Sequence, residues 1–446
     1  MDILDFIVFF IWVIIFNFIF SSRRKKYNNP LLKKYHKQAF WIKVFSSLAF
    51  CMFILYISPG DTSTLYYPEG YNIYRLILKD PANIKLLLNK GADFDPALLS
   101  DMANAGFFDE ESNFMVTRIV SILCFFTMGK FLAINLFFSM ISFTGVWRLY
   151  RFFYEQYPYM HKQFAIAVLY LPTFVFWSSG ILKDPICTGA LGWITYSMYS
   201  IFYTKNNLFR NLLLVCFFGY LLTMLKIYIL VSYVPLFSLF LILKNVSLVK
   251  NKGVKFLLVT FFMVASIFGF IKLADTFEKA LGGFAAEGLT ESIKAYQTNY
   301  ANQEQYVQSN FSLGVEFDGS IGSLFKIAPA AIIATLYRPF LWESKKLSTL
   351  LSSVESLVMM LFTLIVLKRV GPRKFISTIL SDPMVLYCLL FAVVFALFVG
   401  ATTLNFGTLV RYKIPAMPFY VIGLYRILDI NNKLKKGPNK VRAVVV

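Results

Sequence analysis

Lys183 and Asp184 stand side by side near the end of Phe176-Trp-Ser-Ser-Gly-Ile-Leu-Lys-Asp-Pro185. Part of this is helix punctuation, since Asp is a good N-cap and Pro is tolerated in a first helical turn. Lys183 beside it is more charge than capping needs. Arg411 and Lys413 lie in Asn405-Phe-Gly-Thr-Leu-Val-Arg-Tyr-Lys-Ile-Pro415. Arg suits a phosphate because its planar fork donates two parallel hydrogen bonds; snorkelling to lipid headgroups is the plainer alternative. Arg338 and Glu343 form a charged couple amid aromatics in Tyr337-Arg-Pro-Phe-Leu-Trp-Glu343, which also fits an aromatic-belt anchor. Lys226 is the only charge between Arg210 and Lys244. At a turn it faces the same site; inside one bent helix it is buried and needs a partner. Asp61, in Pro59-Gly-Asp-Thr62, is ordinary turn chemistry. An acid fixed at a helix end just outside a membrane is also placed to take a proton from a hydroxyl. Asp109-Glu110-Glu111 reads as a solvated N-capping run.

The elements that must position these groups are apolar. The chain is 58% hydrophobic, outside the soluble range, and its apolar runs approach the ~20 residues of a membrane helix. Eleven spans are expected, at about 3–20, 39–57, 131–149, 164–181, 185–203, 211–225, 227–243, 254–274, 348–367, 384–403 and 413–428. The expected fold is an all-α, polytopic helical membrane protein. The first apolar run is followed, not preceded, by Arg23-Arg24-Lys25-Lys26, so it reads as a retained span rather than a secretory signal. The five Cys show no CxxC spacing and the two His, His36 and His161, lie beside basic residues. Neither a disulfide framework nor a metal site is expected. The net charge of +20 is explained by loops on anionic lipid rather than by nucleic acid.

Loop charge sets the sidedness. Segment 21–38 holds seven Lys or Arg, and with the alternate loops 150–163, 204–210, 244–253, 368–383 and the tail after 428, counting the border residues Arg148, Lys255 and Arg426, it accounts for 26 of the 44 basic residues. By the positive-inside rule these face the cytoplasm, the N-terminus lies outside and the C-terminus inside. The apolar stretch 114–128 is too short to cross and would invert every later loop, so it reads as an interfacial or re-entrant helix. Outer loops span 58–130 and 275–347, and 321–342 reads as a helix lying on the membrane. The chain divides into an N-terminal span with its basic loop (1–38), one membrane domain (39–428) and a basic tail (429–446). Asp61, Asp184 and Glu343 then share the outer face with Lys183, Lys226, Arg338, Arg411 and Lys413, the composition of an anion-binding acid/base site facing a lipid phosphate. Apart from Glu355, the middles of the spans read as free of ionisable groups, and no repeat is evident; both weaken a transporter assignment.

This pattern resembles the GT-C superfamily of multi-span glycosyltransferases that use polyprenyl-phosphate sugars. The similarity covers roughly residues 40–428. It rests on an acid after an early span (Asp61), a long first outer loop, a Pro-containing span ending near an acid (Pro172, Asp184) and outer arginines (Arg338, Arg411). It looks most like the bacterial envelope-polysaccharide branch, through Phe176–Pro185 and Asn405–Phe419. The resemblance implies a polyprenyl-phosphate sugar donor, a glycan, lipid or protein acceptor, membrane lipids as surroundings, no nucleic acid, and residence in the bacterial cytoplasmic membrane. It implies Asp61 as general base in an inverting displacement. Arg411, with Arg338 or Lys226, would hold the leaving phosphate, and Asp184 would position a substrate. It demands no cofactor and accommodates a divalent cation. The chain departs from many members in carrying Thr62, not a second acid, after Asp61. An O-antigen-type polymerase or ligase, and a non-enzymatic transporter, flippase or envelope-machine subunit, are the alternatives.

Overall fold

The computed structural model describes residues 2–88, 110–246, 251, 253–254, 257, 261, 298, 309–315 and 321–436. The expected span 254–274, Asp109 and the end of the basic tail fall mostly or wholly outside these residues. All regular elements among the described residues are helices, joined by one isolated bridge between Asn310 and Asn405. Six helices are long and apolar enough to cross a bilayer, and the protein is membrane-embedded. The helices fall into two compact units, Met1–Ile227 and Tyr228–Val446.

In the first unit α1 (Ile3–Lys25) opens with a reciprocal capping box between Asp2 and Asp5. It ends on Arg23, Arg24 and Lys25, whose charges favour the negative helix C-terminus. Its outward residues are large and apolar, with Ile3 80% and Phe18 73% exposed. A face of that kind is stable only against lipid or another protein. Helix α2 (Pro30–Tyr56) starts on an Asn29 cap with Pro30 in its first turn. After a π-helical turn at Thr62–Tyr66, α3 (Tyr67–Lys79) packs on α4 (Glu111–Thr127). A β-carbon at Gly70 would lie 2.6 Å from Val120, so only glycine lets these two helices approach so closely. Met128 and Gly129 have positive φ and end α4.

Helix α5 (Phe131–Gln156) is the centre of this unit, packed by α1, α2, α4, α6 (His161–Leu169) and α8 (Lys183–Tyr199). Small residues let α5 and α8 touch backbone to backbone. A β-carbon on Gly145 would lie 1.8 Å from the Gly189 carbonyl, and one on Gly192 would lie 1.9 Å from the Gly145 carbonyl. Backbone cannot step aside as a side chain can, so Gly145→Val is expected to cost about 1–3 kcal/mol, read as a lower melting temperature of the purified chain.

Four expected spans take a different form. The 164–181 segment is two short helices, α6 and α7 (Pro172–Trp177). Pro172 holds Leu171 in extended geometry (φ −64°, ψ 116°), because the proline ring disfavours the helical region for the residue before it. The 211–225 and 227–243 segments run on as α9 (Leu208–Val246), broken by non-helical Lys226 (φ −151°, ψ 74°). The last segment starts not at 413 but at Met417, after the short helix Phe406–Tyr412.

In the second unit α10 (Ile321–Tyr337) runs beside α13 (Pro383–Thr402). Gly400 faces the Ala331 carbonyl, and Thr335 Oγ1 donates to the Ala396 carbonyl at 2.7 Å. These contacts pair rising numbers with falling ones, so the helices are antiparallel. One side of α10 is engaged by this neighbouring helix, and Phe325 and Ile333 stay exposed on it (76% and 48%). Helices α11 (Leu347–Val370), α12 (Pro372–Ser381), α14 (Phe406–Tyr412) and α15 (Met417–Lys436) complete the unit. Asp382 caps α13 and pairs with Arg426 at 2.9 Å, and Arg426 also pairs with Asp429 at 2.8 Å. The second arm of α9 meets α13 through the Tyr233 and Tyr387 hydroxyls, 2.6 Å apart.

Candidate functional site

The eight residues singled out above fall into two sets, one per unit. In the first unit the set is built around the turn 178–182 between α7 and α8. Ser178 Oγ and Ser179 Oγ donate back to the Phe174 and Val175 carbonyls, at 2.5 and 2.6 Å, a local competition with the helical ladder that favours its ending here. Three neighbours then fix the turn. Lys43 of α2 donates to the Ser178 carbonyl, to Ser178 Oγ at 2.7 Å and to Ser179 Oγ at 3.1 Å. Asn135 of α5 accepts from the Ile181 amide at 2.9 Å, and Thr62 donates to the Ile181 carbonyl at 2.7 Å. The Thr62 bond also ties Asp61, its chain neighbour, to this turn.

Extended Leu182 then leads into α8, which starts at Lys183. Asp184 is not the cap it resembles in sequence. It lies inside the first turn, and its Oδ1 accepts from Lys226 Nζ at 2.6 Å, with both side chains almost fully buried (1% and 5% exposed). The kink in α9 presents this lysine, and a carboxylate at a helix N-terminus is favoured by the helix dipole. Lys226 is therefore the buried, partnered lysine foreseen for a bent helix. Its charge and that of Asp184 are engaged by each other.

Lys183 and Asp61 remain nearer to solvent. Lys183 Nζ donates to Ser112 Oγ at 2.7 Å and lies 3.8 Å from exposed Glu110. Burial pushes its pKa down to about 8, against the opposing pull of the Glu110 and Asp61 carboxylates. Asp61 is exposed, at the head of the π-helical turn. A half-buried ammonium beside an exposed carboxylate can hold an anion and take a proton from a bound hydroxyl.

In the second unit Arg338 Nε donates to both Glu343 oxygens, at 3.0 and 3.1 Å, and its guanidinium lies 4.3 Å over the Phe311 ring and 5.2 Å over Phe406. Its Nη1 donates to the Ser312 carbonyl at 3.1 Å. Lys413 is 1% exposed and donates to the Arg338 carbonyl at 3.1 Å and to Ser356 Oγ at 2.9 Å. It braces the turn after α10 rather than reaching an outer headgroup. Arg411 sits half-buried on the last turn of α14.

Lys43, Thr62 and Asn135 escape a reading by residue type. Lys43 is the middle residue of the 27-residue α2 but only the fifth of the span expected at 39–57. Its signal was present, a lone lysine inside Phe40-Trp-Ile-Lys-Val-Phe45, but it lay close enough to the basic 21–38 loop to pass as border charge. Among the described residues no group of three or more His, Cys, Asp or Glu could hold a metal. No known family, curated protein or solved structure matches this chain.

Proposed function

We propose that this protein is a GT-C-like glycosyltransferase that takes a sugar from a polyprenyl-phosphate donor at the outer face of the bacterial cytoplasmic membrane. The acceptor is an envelope glycan, lipid or protein. Eleven crossings place the N-terminus outside and the C-terminus in the cytoplasm, and put the turn 178–184 on the outer side. One observation carries the proposal: Thr62 joins Asp61 to the turn that carries Lys183, so a candidate base and a candidate anion ligand share one place. Asp61 removes the acceptor proton while the acceptor oxygen attacks the sugar carbon. The bond to the phosphate breaks with inversion, and Lys183 meets the charge left on the leaving phosphate. The Asp184–Lys226 pair fixes the start of α8, and with it Lys183.

A second reading, a transporter or flippase, is favoured by Lys43. An ionisable group inside a candidate span, bonded to a break between two helices, is a feature of such proteins.

The two readings separate with purified chain, a polyprenyl-phosphate sugar and a pH series. Transfer and binding of polyprenyl phosphate are both expected to weaken as pH rises through about 8, where Lys183 loses its proton. Lys183→Arg, always charged, is expected to remove that fall. Transport of the lipid across vesicles with no sugar transfer at any pH would instead establish the second reading.

A further inference from the structure

A cavity of about 540 Å³ opens in the first unit among Asp5, Leu55, Tyr67, Tyr71, Arg75 and Phe131. No residue of the turn 178–184 lines it. Its walls come from the start of α1, the end of α2 and the first residue of α5, three of the helices fit to cross a bilayer. Three such ends meeting together put the cavity at one membrane surface, whichever side that is. Its size is that of a small-ligand site.

The charges lining it are complementary and apart. Asp5 is 8% exposed. One of its carboxylate oxygens accepts from the Asp2 amide at 3.0 Å. The nearby Lys130 ammonium is engaged by Asp2 at 2.8 Å and reaches Asp5 only through its longer-range field. Arg75 is exposed on α3. Neither Asp5 nor Arg75 makes an ion pair among the described residues, although both line one cavity. Tyr67 and Tyr71, stacked with centroids 6.0 Å apart, line the same cavity, with Phe131 edge-on to Tyr67 at 4.9 Å.

From this we propose that the cavity is a binding site for a zwitterionic phospholipid headgroup carrying a primary ammonium. The phosphate takes the Arg75 guanidinium in a forked hydrogen bond. The ammonium donates to Asp5 and lies against the tyrosine faces, where a desolvated cation is attracted by the ring quadrupole. A neutral sugar leaves both charges uncompensated. An anionic headgroup satisfies Arg75 but brings its own charge towards Asp5. A quaternary ammonium meets the rings but has no proton to donate to the carboxylate. Leu55 and Phe131 continue the wall with apolar surface suited to the first acyl carbons.

Native mass spectrometry of the full chain in detergent, with phosphatidylethanolamine or phosphatidylglycerol added at equal concentration, tests this. Wild type is expected to bind phosphatidylethanolamine about tenfold more tightly. Asp5→Asn, which can still accept from the Asp2 amide, is expected to erase that preference, and Arg75→Gln to weaken both lipids about tenfold. Arg75 is exposed, so its variant tests the site even if Asp5→Asn does not fold. Equal binding of the two lipids by wild type, a preference that survives Asp5→Asn, or undiminished binding by Arg75→Gln each overturns the proposal. Displacement of the lipid by methyl α-glucopyranoside would overturn it in favour of a sugar site.

Discussion

Asp184→Ala is expected to destabilise the chain by about 3–5 kcal/mol. The carboxylate removed is an ion-pair partner of Lys226, 2.6 Å away with both side chains almost fully buried. What remains is an ammonium whose side chain is only 5% exposed, and removing one member of a buried pair costs far more than the pair contributes. Lys226→Met removes the ammonium instead and is expected to fall in the same range. Asp184→Leu combined with Lys226→Met removes both charges and is expected to recover most of the loss, since an apolar pair of similar volume is often neutral or better. Denaturant melts of the three variants in one detergent give the comparison. If both single variants melt with the wild type, the pair does not hold the start of α8. If the double variant is as unstable as the sum of the singles, the loss is one of packing.

Asp61→Asn is expected to behave in the opposite way. Asp61 is exposed and supplies no side-chain cap to the turn it precedes, so the melting temperature is expected to stay with the wild type. Sugar transfer is expected to fall by about 10²–10⁴-fold, the usual contribution of a positioned general base. Asn keeps the shape and a hydrogen-bonding oxygen but accepts no proton at neutral pH. The loss is therefore expected in kcat, with donor binding retained. Full activity in Asp61→Asn would remove Asp61 as the base.

The two variants separate two kinds of acid that look alike in the sequence. Asp61 and Asp184 each stand in a Gly- or Pro-bearing turn next to an apolar run. What distinguishes them is the kink at Lys226, a backbone event far along the chain that no local pattern at Asp184 reports. Loop charge and apolar length were enough to expect an all-helical membrane protein, and six apolar helices of spanning length bear that out. The break at Tyr170-Leu171-Pro172 had its signal in Pro172, yet hydrophobicity alone reads through it. Lys413 shows the converse limit. Its position beside Arg411 suggested a headgroup ligand, but burial against Arg338 and Ser356 depends on which helices pack together. The fixing of the turn 178–182 by Lys43, Thr62 and Asn135 is likewise a product of packing, each of the three coming from a different part of the chain.

The central claim is that the turn carrying Lys183, tied to Asp61, receives the phosphate of a polyprenyl lipid. A structure of the full chain with undecaprenyl phosphate bound tests it directly. The phosphate is expected within hydrogen-bond distance of Lys183 Nζ, in place of or beside the Ser112 hydroxyl, with the Asp61 carboxylate facing the open side of the phosphate. A phosphate bound elsewhere, with Lys183 still on Ser112 and Asp61 turned to solvent, would contradict it.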